Sequence, residues 1–164
     1  MPRKRFQDPA INKDKYFGKL SDKARLLFRG LIDIADDEGF IQGDPLFLRS
    51  EIFPYDDLSC DEVKKLRDEV EKSKQESPMI ILYSVQNQTE VEEYIQLPKW
   101  WNYQPLPDYP IPSKIVNLLL DNRVLISKGT VNTHRSLARK YSFNKQRNAL
   151  RNRKGTGKEQ EGNE

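Results

Sequence analysis

The stretch LSCDEVKKLRDEVEKSKQ, residues 58–75, predicts a helix with a complete start signal. Ser59 is placed to cap the first turn, and Glu62 stands three positions later, where its side chain can bond back to the cap in a capping box. Leu58 and Val63 have the spacing of a hydrophobic staple. We therefore expect the helix to begin immediately after Ser59.

This helix has one apolar side and one charged side. The apolar residues recur at three- and four-residue spacing, which places them on a single helical face: Val63, Leu66 and Val70. The residues of the other side are charged: Lys64, Lys65, Asp68 and Lys72. The pattern predicts a helix that packs one face on a core and exposes the other.

A shorter helix is predicted just upstream. Asp44-Pro45 supplies a cap and a proline at the first helical position, and Phe53-Pro54 ends the helix. A turn of about five residues then leads to the helix at 58–75. Two helices joined by a short turn, the second with a charged outer face, form the pattern of a helix-turn-helix.

A core helix is predicted further upstream, starting at Leu20 with Ser21 as its cap. It ends at the segment 36–39, Asp-Asp-Glu-Gly, where Gly39 suits the left-handed conformation of a helix stop. Three adjacent carboxylates also admit a hard-metal site, but they lack the spaced ligands of a calcium loop. The structural interpretation is favoured, and no metal site is predicted.

Strands complete the pattern. A short strand is expected up to Gln42, and residues 79–85 and 91–97 are β-rich around the polar segment 86–90, which predicts a hairpin. The order helix, short strand, helix, helix, hairpin is that of an α+β winged helix-turn-helix, with three helices and residues 86–90 as the wing tip. The predicted winged-helix domain covers residues 20–104.

The sequence changes character beyond the hairpin. The aromatic cluster at 99–103 is expected to seal the core or a dimer interface, with base stacking as the alternative. Four prolines predict a semi-rigid Pro-rich linker at 105–113. Residues 114–164 are predicted to form a short helix followed by a basic, largely disordered C-terminal tail, and residues 1–19 a basic N-terminal arm.

Charge is distributed unevenly along the chain, whose formal net charge is +3. Residues 1–121 carry 17 Lys and Arg against 22 Asp and Glu, whereas residues 122–158 carry 11 Lys and Arg and no acid. The last six residues add three glutamates. A basic segment beside a mildly acidic domain is typical of nucleic-acid binding, and a solvated tail without a partner is the alternative.

The length of 164 residues leaves room for one domain with tails. A hydrophobic fraction of 36% and a charged fraction of 32% suit a small core with a large solvated surface. The sequence has no run of about 18 apolar residues to cross a membrane, and its basic start is not followed by the apolar segment of a secretory signal. We expect a cytoplasmic protein with no membrane partner.

Residues for catalysis are scarce. Cys60 is the single cysteine, and His134 is the single histidine and lies in the basic segment without nearby carboxylates. We find no Ser/His/Asp set, no metal-ligand spacing and no Gly-rich phosphate loop. A redox role for Cys60 at the helix start is a minor alternative. The prediction is a protein that is not an enzyme, with no cofactor and no catalytic residue.

Five blocks of sequence, in order, resemble one family. They are L-S-x-x-A-R-L-L-F-x-G-L at 20–31, ADDEG at 35–39, GDP at 43–45, IFPYDD at 52–57 and YIQLPKW at 94–100. Together they resemble the N-terminal winged-helix domain of phage and prophage replication proteins, a group that includes replisome organisers and is similar to the DnaD-like primosomal proteins. The resemblance covers about residues 1–104. It implies DNA binding at a replication origin or recruitment of a replicative helicase or its loader, often with formation of a homo-oligomer.

Double-stranded DNA is the expected partner. The helix at 58–75 is expected to enter the major groove, the wing tip to reach the adjacent groove, and the basic ends to neutralise phosphates. The DNA-binding residues predicted on the helices and the wing are Arg49, Lys64, Lys65, Lys72, Gln86, Asn87 and Gln88. Those predicted on the two ends are Arg3, Lys4, Arg5, Arg135, Arg139, Lys140, Lys145, Arg147, Arg151, Arg153 and Lys154.

Acidic residues oppose a strong DNA contact at the central helix. Asp61 precedes Lys65, and Asp68 precedes Lys72, by the four residues that favour surface ion pairs worth about 0.2–0.5 kcal/mol. The domain alone is therefore expected to bind DNA weakly, with the basic tail supplying affinity. A protein-interaction or dimerisation module of the primosome, and a transcriptional regulator, are the alternative functions.

Overall fold

The computed structural model describes residues 3–155, with side chains as far as Arg153. Its helices are a 3-10 turn at Pro9–Lys13, α1 Lys15–Lys19, α2 Asp22–Ile34, α3 Pro45–Ile52, α4 Cys60–Lys72, α5 Trp100–Tyr103, α6 Lys114–Asp121 and α7 Lys128–Gly155. Its strands are β1 Phe40–Gln42, β2 Ile81–Gln86 and β3 Val91–Gln96. This part of the chain is α+β, and its order of elements is compatible with a winged helix. Within it, no helix has the length and hydrophobicity to span a bilayer.

The predicted start of α4 is confirmed. The Ser59 hydroxyl accepts a hydrogen bond from the N–H of Glu62, and the Glu62 carboxylate accepts one from the N–H of Ser59 at 2.7 Å. Leu58 and Val63 are both buried in the same core. The helix ends at Lys72, three residues earlier than expected. Because the capping box satisfies backbone N–H groups that have no partner inside the helix, this start is determined locally.

The other predicted helix starts are confirmed in the same way. The Ser21 hydroxyl caps α2 by accepting a bond from the N–H of Ala24. The Asp44 carboxylate caps α3 by accepting a bond from the N–H of Phe47, and Pro45 occupies the first helical position. These two caps place α2 and α3 beside α4, against which both helices pack.

Strand β3 is the centre of an antiparallel sheet with the order β1–β3–β2. Ile95 lies opposite Ile41 of β1, and both join the core formed with α1–α4. The neighbouring Tyr94 points to the other side, because side chains alternate along a strand. There it belongs to a second buried cluster that includes α6: Phe40, Val85, Val116 and Leu119. The sheet is therefore covered on both faces.

The predicted hairpin and its tip are confirmed. Strands β2 and β3 pair from Ile81 opposite Gln96 to Gln86 opposite Val91, which leaves residues 87–90 as the connecting loop. The N–H of Asn87 donates to the carbonyl of Glu90 at 2.9 Å and closes this loop. The hairpin therefore projects its polar tip from the edge of the sheet.

Gly39 is required where the chain leaves the acidic segment. Its φ is +81°, a conformation that side chains disfavour, and a Cβ atom added there would lie 2.7 Å from Cγ of Trp100. The indole N–H of Trp100 donates to the carbonyl of Asp37 at 2.9 Å. The aromatic cluster after the hairpin thus seals the core through Trp100, as the packing interpretation predicts.

The Pro-rich segment 105–113 lies along the domain. The N–H of Ile111 donates to the carboxylate of Asp37 at 2.8 Å, and the N–H of Ser113 donates to that of Glu38 at 2.6 Å. Helix α6 follows directly, with the Ser113 hydroxyl as its cap. The extended segment therefore fixes the position of α6 on the sheet.

The prediction of a largely disordered tail is wrong for residues 128–155, which form α7. The Ser127 hydroxyl accepts a bond from the N–H of Thr130 at 3.2 Å and caps the helix. His134 and Leu137 are buried, so the first ten residues of α7 pack on the domain. From Arg139 to Arg153 the side chains are exposed, apart from a partly shielded Asn144. The helix was not expected because its apolar residues are few and do not form a continuous stripe along its length.

Candidate nucleic-acid interface

The outer face of α4 lies at the surface. Its exposed lysines are those that the sequence predicts: Lys64, Lys65 and Lys72. Ion pairs within 4 Å between Asp61 and Lys65, or between Asp68 and Lys72, do not form in the described part of the chain; Asp68 instead lies 3.5 Å from Arg67. These lysine side chains are therefore not held by the acids four residues before them.

Arg67 is the important residue of α4 that the sequence analysis missed. Its side chain is 1% exposed, and its guanidinium donates to the carbonyl of Gly43 at 2.7 Å and to the Glu93 carboxylate at 2.8 and 3.1 Å. Because Arg67 lies four residues after Val63 and three before Val70, its side chain leaves the helix on the buried side. That spacing was the available signal. These bonds connect α4 to β3 and to the turn after β1. The positive charge of Arg67 is therefore engaged inside the fold.

Acidic residues surround the start of α4. Asp57, Asp61 and Glu62 are exposed there. Hydrogen bonds from the backbone and side chain of Ser59 hold the pKa of Glu62 below its ordinary value, so this carboxylate is ionised at neutral pH. Negative charge stabilises a helix N-terminus, but it also repels a phosphate at the same place. This end of α4 is therefore poorly suited to meet a DNA backbone.

The wing tip offers amides. Gln86, Asn87 and Gln88 are exposed, and the Gln86 amide donates to the carbonyl of Asn87 at 3.0 Å. Glu90 is exposed in the same loop, and residues 86–90 include no Lys or Arg. Arg49, in the last turn of α3, is partly exposed. The tip has groups for hydrogen bonds to sugar or phosphate, but it has no positive charge with which to attract DNA.

The N-terminal arm is docked on the domain. The Arg5 guanidinium donates to the Asp37 carboxylate at 3.1 Å and lies over the Trp100 ring, 5.2 Å from its centroid. Arg3 lies 3.1 Å from the other oxygen of Asp37. Both arginines thus neutralise a buried carboxylate, while Lys4 is exposed. In this conformation Arg3 and Arg5 are not free to contact a phosphate.

The carboxylates after α2 bind groups of the chain itself. Asp36 accepts bonds from the N–H groups of Glu38 and Phe40 at 2.9 and 3.0 Å, and burial raises its pKa. Asp37 and Glu38 are 5% and 4% exposed and accept bonds from segments more than 30 positions away. Among the described residues, no group of three or more His, Cys, Asp and Glu is arranged to hold a metal ion. The carboxylates of segment 36–38 thus join the N-terminal arm and the Pro-rich segment to the end of α2, and this segment is called the acidic junction below.

His134 has a carboxylate partner, so the expectation that none lies nearby is wrong. Its Nδ1 lies 2.6 Å from Oε2 of Glu38, and its Nε2 lies 2.9 Å from Oδ1 of Asn117. His134 is 4% exposed. This buried contact fastens α7 to the acidic junction and to α6. Glu38 precedes His134 by 96 positions, and no local pattern in the sequence indicates the pair.

The sequence of helix α7 is basic and contains no acidic residue. Its exposed basic side chains are Lys128, Arg135, Arg139, Lys140, Lys145, Arg147, Arg151 and Arg153, and the side chain of Lys154 lies outside the described residues. From Arg135 to Arg151, none of these cations has an acidic partner within 4 Å in the part that the structure describes. A helix of 28 residues is about 42 Å long, so α7 extends well past its buried contacts at His134 and Leu137.

The predicted site residues thus lie in four parts of the fold. They are on helices α3 and α4, at the tip of the hairpin, along α7, and in the N-terminal arm, where Arg3 and Arg5 are engaged with Asp37. No protein-family model, curated protein or solved structure matches this chain.

Proposed function

We propose that this protein binds duplex DNA in the cytoplasm as a replication protein of the replisome-organiser type, and that α7 supplies most of its affinity. The observation that carries the proposal is the charge of α7: exposed cations along its length, and no acidic residue between positions 122 and 158. Duplex DNA carries one negative charge per about 1.7 Å of its axis, and neutralising it releases counterions. A rigid cationic helix of this length is well matched to such a partner.

In this proposal the winged helix comprises α2, α3, α4 and the three-stranded sheet. The exposed lysines of α4 approach the major groove, the partly exposed Arg49 of α3 supplies a further cation, and the amides of residues 86–88 reach the adjacent groove. Because acids alternate with the lysines on α4, this surface contributes the position of the protein on DNA more than its affinity. The buried contact between His134 and Glu38 holds α7 in a fixed relation to that surface.

The replication role rests on the five sequence blocks that resemble phage and prophage replication proteins. A replicative helicase or its loader is the further partner that this resemblance implies. The transcriptional alternative uses the same surfaces and differs in the DNA that is selected. Recovery of bound fragments from a sheared genome separates the two, since origin fragments support replication and promoter fragments support regulation.

The direct test is the salt dependence of duplex binding for two truncations. A chain ending at Ala138 keeps His134 and Leu137 but loses residues 139–164, which include eight Lys and Arg. A cut after Gln104 is unsuitable because it removes Val116 and Leu119 from the second core. A control chain ending at Gly155 keeps the described length of α7.

Six to eight phosphate contacts give a slope of log K against log salt of about −5 to −7 for the full chain. We expect the control to keep this slope and the chain ending at Ala138 to lose several units of it. Equal slopes for all three chains would remove α7 from the mechanism. Failure of the full chain to bind duplex at about 0.1 M salt would reject the proposed function.

A protein-interaction module is the second candidate, and a specific surface favours it. The segment after the hairpin exposes Trp101, Tyr103, Leu106 and Tyr109, by 36% to 63%. Aromatic residues of this kind are enriched at protein interfaces. Sedimentation of the full chain over a range of concentrations, beside a Trp101→Ala/Tyr103→Ala variant, tests it: loss of oligomers in the variant supports this candidate, and a monomer at every concentration rejects self-association.

A further inference from the structure

The distal part of α7 carries a stripe of hydrogen-bond donors. Lys140, Asn144, Arg147 and Arg151 follow one another at spacings of four, three and four residues, so they lie on one face of the helix. Lys140, Arg147 and Arg151 are exposed, and Asn144 is partly exposed. In the described part of the chain, the side chains of these four residues have no hydrogen-bond or ion-pair partner.

We propose that this stripe reads base edges in the major groove, so that α7 contributes sequence selection in addition to phosphate contacts. The inference rests on the proposed DNA binding and assigns a specificity role to its strongest cationic element. Arginine binds O6 and N7 of guanine through two parallel hydrogen bonds, and asparagine binds N6 and N7 of adenine in the same way. Asn144, Arg147 and Arg151 present these two chemistries on consecutive turns.

The dimensions of the stripe fit the groove. From Lys140 to Arg151 the helix rises about 16 Å, which equals about five base pairs at 3.4 Å each. The major groove is about 12 Å wide and admits an α-helix. Because residues 139–153 are exposed around the helix apart from the partly shielded Asn144, this part of α7 can enter a groove while its first turns stay packed on the domain.

Apolar side chains lie beside the stripe. Phe143 is 64% exposed and Leu150 is 59% exposed, and they stand seven residues apart on the same side of α7. Each is adjacent in space to the position of Arg147, since they lie four residues before it and three after it. Apolar groups in this setting contact the methyl group of thymine, which adds a third base-reading chemistry to the same surface.

Helix α4 lacks this chemistry on its exposed face. Its arginine, Arg67, is buried against Glu93, and its outward cations are lysines. Lysine acts as a flexible point charge, whereas arginine makes the planar, paired contact that distinguishes guanine. Among the helices proposed to contact DNA, α7 therefore carries most of the side chains that can read bases.

The experiment uses the full chain and exchanges arginine for lysine, because this keeps the charge and removes the paired hydrogen bonds. The reading variant is Arg147→Lys/Arg151→Lys. The control is Arg135→Lys/Arg139→Lys, in which each position lies twelve residues earlier and is rotated by about 120° around the helix. Wild type and both variants are checked for equal helix content by circular dichroism, and each then selects bound fragments from a random duplex pool.

We expect the wild type and the control to enrich the same motif, with about five base pairs set by α7. The reading variant is expected to lose its preference at two guanine-containing positions and to bind the preferred site about 10-fold more weakly, with affinity for random duplex unchanged within about 2-fold. Loss of preference in the reading variant alone supports the inference.

Three results would overturn it: the reading variant enriches the wild-type motif, the control loses the motif as well, or the wild type binds all duplexes equally. Each of these leaves the proposed duplex binding intact, with α7 as a phosphate clamp. Displacement of the wild type by poly-L-glutamate as effectively as by duplex, with no motif, would assign the stripe to an acidic protein surface instead. Absence of duplex binding by the wild type would reject the proposed function itself.

Discussion

Helices α4 and α7 both expose basic side chains to solvent, but the rest of the fold constrains the two helices differently. Between Cys60 and Lys72, α4 holds four basic and five acidic residues around a buried face, whereas from Lys128 to Gly155 α7 holds nine basic residues and no acid. In α4, one face packs on the core, and Arg67 is used in a contact inside the fold. Because α7 extends beyond the core, most of its surface carries exposed charged and polar residues. Under the proposed function, α4 therefore sets the position of the protein on DNA, and α7 supplies most of its affinity.

The largest effect is expected at the internal contact of α4. Arg67→Ala leaves the Gly43 carbonyl and the partly buried Glu93 carboxylate without their partner, and we expect a loss of about 3 kcal/mol in the free energy of unfolding, measured with urea. The matched control is Lys65→Ala on the exposed face, which should change stability by no more than about 0.5 kcal/mol. Equal losses in the two variants would contradict the structural role of α4.

The next largest effect is expected where α7 is fastened. His134→Ala leaves the buried Glu38 carboxylate with the Ser113 N–H but without its histidine, and it removes the bond to the exposed Asn117 side chain, at an expected cost of about 2 kcal/mol. Backbone amides of α7 should then exchange with deuterium faster than those of α4. Arg135→Ala, the exposed neighbour, is expected to change neither quantity. Unaltered exchange in the His134 variant would show that α7 is held by other contacts.

A third test removes the same charge from each helix. Arg147→Ala/Arg151→Ala should make the slope of log K against log salt about 1.8 units less negative and weaken duplex binding about 10-fold at 0.2 M salt. Lys64→Ala/Lys65→Ala should weaken binding less than about 3-fold and relax the sequence preference, because this surface positions the protein. Equal losses of affinity in the two variants would contradict the different roles proposed for α4 and α7. A lysine variant that still selects the wild-type sites would show that α4 is not a reader.

The smallest effect concerns the pH dependence of the α4 start. Bonds from Ser59 hold the pKa of Glu62 below its ordinary value, so the folded state favours the ionised carboxylate. Its contribution to stability is complete above the ordinary pKa and is lost as the pH falls through the lowered one. Glu62→Gln should therefore differ most from wild type at neutral pH and should converge with it in acid, as followed by thermal unfolding.

Glu62→Asp is the matched variant, since it keeps the charge but shortens the side chain that reaches the Ser59 N–H. If it keeps the full pH dependence of the wild type, the helix dipole rather than the capping box causes the effect.

The features that were predictable from sequence depend on near neighbours. The Ser59 and Glu62 capping box, the left-handed Gly39 and the loop at 87–90 each involve residues a few positions apart, whose types are restricted by local geometry. The two faces of α4 followed from helical spacing. These elements are confirmed, and they define the surface on which the α4 lysines stand.

The features that were not predictable join distant residues or lack periodicity. Arg67 and Glu93 lie 26 positions apart, Arg5 and Asp37 lie 32 apart, and neither pair leaves a trace in spacing along the chain. Helix α7 was mistaken for disorder because a charged segment with few apolar residues has that composition. The same segment holds nine Arg and Lys, two Leu and two Ala, and these residue types are also good helix formers. Propensity and the Ser127 cap, rather than amphipathicity, were the informative signals.

The acidic junction at residues 36–38 is also relevant to folding during synthesis on the ribosome. Its carboxylates meet groups from positions 3, 5, 111, 113 and 134, so its set of contacts is complete only after most of the chain has left the ribosome. At about 5–20 residues per second, α2 to the hairpin is available for several seconds before His134 emerges. During that interval Glu38 lacks its hydrogen bond to His134, and until residue 121 has emerged α6 does not cover the second face of the sheet. A nascent chain stalled before position 134 should accordingly be cut by a protease in this region, whereas the released protein should resist.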